Sequence, residues 1–263
     1  MSYTIEKNKN LHVSKKHMDC DTEICNIASP LPNKSFVMAI VGSSGSGKTV
    51  LALNLLSKRP KKNGLHTSYH KQFNHVIICS PSLASSSDKG NPLKDHIKDN
   101  PEKVFEEFDH EFLDFIEEFC TVAAAEKENT LIMIDDSGAL LKKAGLESRL
   151  SYFCQRRRHM RASVILIMQK FKQIPPNIRS SCITHLALFK CQNMKELESV
   201  WLELMHIPKK TLLDFSDFVW NRKHSFLFVD LSLQNSDKYE FYRNYDKINI
   251  EPYIKKNDDS KLD

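Results

Sequence analysis

With 263 residues, the chain is long enough for one large α/β domain with short additions and too short for two domains of ordinary size. Its 41% apolar and 27% charged residues exclude a disordered chain, and 38 basic against 33 acidic side chains leave a net charge of only +5. No apolar run approaches the roughly 20 residues that cross a bilayer, and the N-terminus lacks the apolar centre of a secretory signal, so we expect a protein without a membrane span on the cytoplasmic side.

The N-terminal segment, residues 1–33, is polar and mixed in charge, and it ends at Pro30 and Pro32, which disfavour regular structure. We therefore predict an arm rather than a domain. The arm holds four side chains of the types that bind zinc: His12, His17, Cys20 and Cys25. Their spacing matches no common zinc module, so an arm without metal is the favoured interpretation.

The first predicted element is a buried strand over residues 36–41, followed directly by the pattern G-x-x-x-x-G-K-[ST]. The residues of the pattern are Gly42, Ser43, Ser44, Gly45, Ser46, Gly47, Lys48 and Thr49. The glycines let backbone N–H groups turn toward phosphates, and the following helix adds the positive end of its dipole. In this chemistry Lys48 bridges the β- and γ-phosphates of ATP, and Thr49 holds Mg²⁺. A glycine- and serine-rich loop without a ligand is the weaker alternative, because the strand and helix context is present.

A second strand is predicted at residues 75–79, and residues 80–99 are predicted to form a surface loop. Asn100, Pro101 and Glu102 then combine a capping side chain, a proline and an acid, which is typical of a helix start. Apolar side chains recur after it at spacings of four and three, and predict a helix packed on the sheet: Val104, Phe108, Phe112, Phe115 and Phe119.

Another apolar strand, residues 130–135, ends in a pair of acids. Asp135 is expected to accept hydrogen bonds from magnesium-bound water, which is the Walker B role. Asp136 is expected to polarise the water that attacks the γ-phosphate. The alternative for Asp136 is a plain cap for the segment that follows.

A strand at residues 163–168 ends at Gln169, and we expect it to lie between the phosphate-loop strand and the acidic strand. Gln169 would then reach the γ-phosphate as a sensor. Further strands are predicted at residues 183–189 and 226–229, with helical segments between most of them. This alternation predicts an α/β fold of the P-loop NTPase (RecA/ASCE-like) class, with a mainly parallel sheet flanked by helices.

From residue 230 onward the chain is polar and bears tyrosines, which predicts a short extension with a loose tail. The predicted organisation is an arm at residues 1–33, a P-loop ATPase domain at residues 34–232, and a C-terminal extension and tail at residues 233–263.

Arginines cluster between the acidic strand and the sensor strand, and Arg158 and Arg161 are candidates for a finger that reaches the γ-phosphate of a neighbouring subunit. Arg179 is a second candidate. The alternative for each is a solvated basic face. The basic residues 58–62 form another cluster, which could attract nucleic acid phosphates, although a solvated face is the more frequent role of such a cluster.

The order of four segments carries a resemblance to a known family: GSSGSGKT, LIMIDDS, RRRHMRASVILIMQ and IPPNIRSSCITHLALFKCQN. Together they resemble the FtsK–HerA superfamily, and most closely the poxvirus-type DNA-packaging ATPases of large DNA viruses and virophages, over about residues 34 to 230. Asp136 departs from the glutamate of the wider superfamily, which bears on the identity of the catalytic base.

The resemblance implies a viral DNA-packaging motor that hydrolyses ATP with Mg²⁺ and pumps double-stranded DNA, without regard to sequence, into a capsid. It also implies a homo-oligomeric ring, a hexamer or pentamer, acting at a capsid vertex in the host cytoplasm or viral factory, or associated with the virion. Under this resemblance, residues 58–62 and the loop at residues 82–99 are the candidates for DNA contact.

Two other kinds of function remain open. A small-molecule kinase also uses a phosphate loop, although the acidic pair favours water activation. A GTPase is disfavoured because the N-K-x-D pattern that recognises guanine is missing from the sequence. A nucleotide-dependent scaffold on DNA or a capsid vertex would bind ATP and hydrolyse little of it.

Overall fold

A nine-stranded sheet runs through the part of the chain that this computed structural model describes, which comprises residues 24–81, 93–143, 145–191, 193–205, 212–232 and 240–249. The strands are β1 (Val37–Val41), β2 (His75–Cys79), β3 (Val104–Phe105), β4 (Thr130–Asp135), β5 (Ala162–Met168), β6 (His185–Phe189), β7 (Phe226–Asp230), β8 (Glu240–Arg243) and β9 (Asp246–Ile248). The α-helices are α1 (Lys48–Leu56), α2 (Lys94–Asp99), α3 (His110–Ala125), α4 (Leu146–Arg156), α5 (Pro176–Ser181), α6 (Met194–Val200) and α7 (Leu212–Val219).

The strand order is β3-β2-β4-β5-β1-β6-β7-β8-β9. All pairings from β3 to β6 are parallel, and those from β6 to β9 are antiparallel. The predicted α/β fold with a mainly parallel sheet is therefore confirmed. The six strands predicted from apolar runs all form, because each is buried on both faces of the sheet over most of its length.

Strand β5 lies between β1 and β4, as the sequence predicts. Val41 pairs with Met168 and Asp135 pairs with Ile167, so the three strands end at nearly the same level. The loop after β1, the acids after β4 and the polar end of β5 therefore share one edge of the sheet, the carboxyl edge.

The two faces of the sheet are covered unequally. Helices α3 to α7 pack on one face and form the larger hydrophobic cluster. Helix α1 packs on the other face together with Ile24, Ile27 and Leu31. The sequence assigned these three residues to a polar arm, and in the structure their burial joins residues 24–33 to the core. Backbone hydrogen bonds from Ile24 N–H to Asn33 O and from Ala28 N–H to His66 O hold this segment in place.

The prediction that a helix begins at Asn100 is wrong about the first residue of the helix. Pro101–Lys103 forms one 3₁₀ turn, and the next residues form the edge strand β3. Helix α3 begins at His110, where the Asp109 carboxylate accepts a hydrogen bond of 2.9 Å from Phe112 N–H. The edge position of β3 decides the outcome, because pairing with β2 satisfies backbone groups that a longer helix would have satisfied internally.

Strands β8 and β9 continue the sheet beyond β7, in a region where the sequence predicts an extension and a tail. Phe241 and Tyr242 of β8 are buried. Among the helices in the described ranges, none combines the length and the apolar character needed to cross a bilayer.

Candidate active site

The phosphate-loop pattern lies between the end of β1 and the start of α1, at the carboxyl edge. Gly45 and Gly47 have φ of 73° and 109°, in a region that residues with a Cβ rarely occupy. At Gly42 the requirement is space: an added Cβ would lie 2.6 Å from Phe189 Cβ and 2.7 Å from Ser46 Oγ. The loop geometry thus favours glycine at all three positions, through the backbone conformation at Gly45 and Gly47 and through lack of space at Gly42.

Lys48 is buried at the first position of α1, and its Nζ donates a hydrogen bond of 3.0 Å to the Ser43 carbonyl oxygen. Burial lowers the pKa of Lys48, while the negative charges of Asp135 and Asp136 act in the opposite direction. The ammonium group therefore faces both acids within one small site.

Asp135 is only 5% exposed at the end of β4. Burial, reinforced by the charge of Asp136, raises the pKa of Asp135 to about 6, although Lys48 and a hydrogen bond from the Thr49 hydroxyl oppose the rise. Lys48, Thr49 and Asp135 therefore converge at one point of the carboxyl edge.

Asp136 and Gln169 form a pair beside this point. Gln169 Nε2 donates a hydrogen bond of 2.9 Å to Asp136 Oδ1, and both side chains are exposed. Asp136 has a φ of 52°, and its N–H donates to the Ile167 carbonyl oxygen across to β5. The next helices begin at Leu140 and Leu146, with Ala139 and Gly145 at their caps, so Asp136 does not serve as a helix cap.

Arg158 and Arg161 do not approach the phosphate loop of their own chain. They precede β5 and so lie at the amino edge of the sheet, separated from Gln169 by a seven-residue strand that spans about 20 Å. Arg161 Nε donates a hydrogen bond of 3.2 Å to Asn129 Oδ1 at that edge. Neither arginine is therefore placed to act on the phosphate loop of its own chain.

Arg179, on α5, is engaged within its own chain. Its Nε and Nη2 lie 2.9 Å and 3.4 Å from the two carboxylate oxygens of Glu203. Its Nη1 donates to the Ile174 carbonyl oxygen, and its guanidinium lies 5.3 Å from the centre of the Phe171 ring. The structure does not bring Arg179 to the site.

One contact to the loop was missed by the sequence analysis. His224 Nδ1 lies 3.0 Å from the Ser46 carbonyl oxygen. His224 precedes β7, and because β7 is antiparallel to β6, the start of β7 lies at the carboxyl edge. No local pattern around His224 marks this contact, since it depends on the direction of a strand.

The remaining candidates lie away from the site or outside the described ranges. The basic residues 58–62 are exposed and follow the end of α1. Residues 82–92 of the candidate DNA loop lie outside the described residues, and the prediction of a loop is wrong for residues 94–99, which form helix α2. Three of the four candidate zinc ligands also lie outside the described residues, and the fourth, Cys25, is exposed.

The fold and this edge define the class of the protein: a P-loop NTPase, with a phosphate loop between a parallel strand and a helix and an acid at the end of a nearby strand. Within that class, the chain belongs to the poxvirus A32 protein family, whose model matches residues 27–259. The family resemblance inferred from the order of motifs is thereby confirmed.

Two proteins that are similar in sequence come from poxviruses. The chain is 28% identical over 186 residues to the DNA packaging protein OPG160 of Variola virus, and 27% identical over 186 residues to that of Vaccinia virus. Each alignment covers 67% of this chain and 63% of the relative, so the chain spans less than two thirds of the relatives' length.

Solved structures agree on the fold. The DNA-packaging ATPase B204 from Sulfolobus Turreted Icosahedral Virus superposes with a TM-score of 0.56 at 14% identity, covering 79% of this chain and 97% of that one. The B204 genome packaging NTPase of Sulfolobus turreted icosahedral virus 2, in complex with ATP-gammaS, superposes with a TM-score of 0.51 at 16% identity. This match covers 80% of the present chain and 98% of the B204 chain.

Proposed function

We propose that this chain is an ATP hydrolase that drives the packaging of viral DNA. The observation that carries the proposal is the convergence of Lys48, Thr49 and Asp135 at the carboxyl edge, with the Asp136–Gln169 pair beside them. Membership of a family whose relatives are named DNA packaging proteins supports the same function.

The site suits Mg²⁺, because the Thr49 hydroxyl and the Asp135 carboxylate are oxygen donors in direct contact. The raised pKa of Asp135 reflects a buried negative charge that a cation would stabilise. When bound, Mg²⁺ would neutralise charge on the phosphates. Thr49 and Asp135 are the residues that would hold it.

The other residues have separate roles in this proposal. Lys48 leaves the Ser43 carbonyl to contact the β- and γ-phosphates, and the loop amides from Gly42 to Thr49 surround them. Asp136 accepts a proton from the attacking water, and Gln169 orients Asp136 through their hydrogen bond. Arg158 or Arg161 of a neighbouring subunit stabilises the charge of the transition state. Arg179 could do so only after release from Glu203.

The proposed assembly is a ring of five or six copies at a capsid vertex, with double-stranded DNA as the moving substrate. Contacts to DNA are made mainly to phosphates by basic residues such as residues 58–62, so binding should be independent of sequence and weakened by salt. The proposed ATPase domain comprises residues 34–232, and the proposed location is the host cytoplasm or viral factory.

The test is the rate of phosphate release with and without double-stranded DNA, for the wild type and for Asp136→Asn. We expect DNA to stimulate the wild type, and Asp136→Asn to lose about 100-fold or more of the turnover, because an amide is not a general base. ATP affinity should persist in this variant. Retained turnover would contradict the role of Asp136, and negligible turnover in the wild type would favour a nucleotide-dependent scaffold.

A further inference from the structure

The turn that precedes β7 makes a contact with the phosphate loop that the proposed chemistry does not use. His224 Nδ1 lies 3.0 Å from the Ser46 carbonyl oxygen, and an added Cβ on Gly47 would lie 3.6 Å from the same nitrogen. The side chain of His224 thus lies against the Ser46–Gly47 peptide, in the middle of the loop.

The direction of this hydrogen bond determines the orientation of that peptide. A carbonyl oxygen only accepts, so His224 Nδ1 carries the proton and donates it. In a planar trans peptide the carbonyl and the N–H point in opposite directions. With the Ser46 carbonyl held toward His224, the Gly47 N–H faces away from His224, and amides of this loop are the groups that contact phosphates.

The first half of the loop is held by hydrogen bonds to the carbonyl oxygen of Ser43. Ser46 N–H and Lys48 Nζ both donate to the Ser43 carbonyl oxygen, at 3.2 Å and 3.0 Å. These bonds restrain the first half of the loop and leave the rotation of the Ser46–Gly47 peptide to other contacts. Gly47, at a φ of 109°, is a residue at which such a rotation meets little steric resistance.

The turn that carries His224 is itself firmly attached to the sheet. Trp220 Nε1 donates a hydrogen bond of 3.1 Å to the Leu188 carbonyl oxygen of β6, and Phe226 packs on Phe189 with ring centres 5.4 Å apart. His224 has a φ of 63°, a conformation disfavoured for a residue with a Cβ. A disfavoured backbone in a well-anchored turn is a feature that recurs where a side chain is held for function.

We propose that His224 is a positioning residue of the nucleotide site, which holds the Ser46–Gly47 peptide in the orientation that binds the triphosphate. The inference rests on the proposed function, since it concerns the same loop. Because the peptide is oriented before ATP arrives, loss of the imidazole should weaken ATP binding and leave the chemical step nearly unchanged.

The experiment compares two substitutions at one position. His224→Gly removes the donor and also relieves the backbone conformation, whereas His224→Asn places an amide N–H near the position of Nδ1 and tolerates a positive φ. We expect His224→Gly to raise the Kd for a fluorescent ATP analogue with Mg²⁺, and the KM for ATP, by about 3- to 10-fold, with kcat within about twofold. His224→Asn should restore both constants.

Two controls separate the possible causes. Lys127→Gly relieves a similar φ of 62° in an exposed turn at the amino edge and should leave ATP binding unchanged. Lys48→Ala should abolish binding of the analogue. Wild-type affinity in His224→Gly, or no restoration in His224→Asn, overturns the role of His224 alone. Equal, weak binding by the wild type and Lys48→Ala overturns the proposed function together with this inference.

Discussion

At the scale of single residues, Asp135 is the position where stability and function oppose each other. Its carboxylate is 5% exposed and lies beside Asp136, and the resulting pKa of about 6 means that its charge is unfavourable in the folded protein at neutral pH. We expect Asp135→Asn to increase the free energy of unfolding of the nucleotide-free protein by about 1–2 kcal/mol at pH 7, and to abolish ATP turnover.

Thermal unfolding without nucleotide measures this effect. Asp136→Asn is a comparison variant that should raise the melting temperature by a smaller amount, because Asp136 is exposed and its neutralisation removes only its repulsion on the buried Asp135 carboxylate. A lower melting temperature for Asp135→Asn would show that its contacts with Lys48 and Thr49 outweigh the unfavourable burial.

At the scale of elements, two of the three glycines in the phosphate loop, Gly42 and Gly45, are needed for different reasons. A Cβ at Gly42 would overlap Phe189 and Ser46, whereas a Cβ at Gly45 meets nothing within 4 Å and only the positive φ is unfavourable. We expect Gly42→Ala to displace the loop and abolish binding of a fluorescent ATP analogue. Gly45→Ala should retain binding and lower the free energy of unfolding by only about 1 kcal/mol. Similar affinities for the two variants would contradict this distinction.

The pair of β6 and β7 contains a buried histidine that links stability to pH. Burial, together with the nearby positive charge of Arg157, lowers the pKa of His185 to about 4, although Asp230, 3.4 Å from Nε2, opposes the shift. The unfolded chain binds this proton near pH 6.5 and the folded chain near pH 4. Between these values the unfolded state holds more protons, so the free energy of unfolding falls as the pH falls.

Urea unfolding at pH 7 and pH 5 tests this linkage. We expect the titration of His185 to lower the free energy of unfolding of the wild type by on the order of 1–3 kcal/mol when the pH falls from 7 to 5. His185→Asn can still contact Thr184 but does not titrate, so its free energy of unfolding should depend less on pH. Equal losses in both proteins would rule out His185 as the source.

At the scale of the whole molecule, the arginine cluster and the phosphate loop lie at opposite edges of one sheet. A site completed by Arg158 or Arg161 must therefore include two copies of the chain. We expect Lys48→Ala and the double substitution Arg158→Ala with Arg161→Ala each to be inactive alone. A mixture should regain a measurable part of wild-type turnover, because an intact loop from one copy can meet intact arginines from the other.

Turnover of the mixed proteins, with particle mass measured in the presence of nucleotide, decides this prediction. If the mixture stays inactive while large particles form, the arginines do not act between subunits. If the double substitution is active alone, they do not act on the γ-phosphate at all.

Most of the parallel sheet could be predicted from the sequence because its strands are continuous apolar runs buried on both faces. The strands that the sequence analysis missed lie at the two sides of the sheet. There, strand formation depends more on pairing with a neighbouring strand than on burial of apolar side chains. Strand β3 has two residues, β8 has only two aromatic residues between charged ends, and β9 has a single apolar residue. The start of α3 was misplaced for the same reason, since pairing of β3 with β2 is a contact between distant segments.

For the site, the sequence alone determined the phosphate loop, because its residues are contiguous and their spacing reflects local backbone geometry. It also identified the acids after β4 and Gln169 after β5 from their positions at strand ends. Only the tertiary structure decided that Gln169 bonds to Asp136, that Arg179 is paired with Glu203, and that His224 reaches a loop 178 residues away. These contacts depend on the order and direction of strands in the sheet, which long-range packing determines and no local pattern encodes.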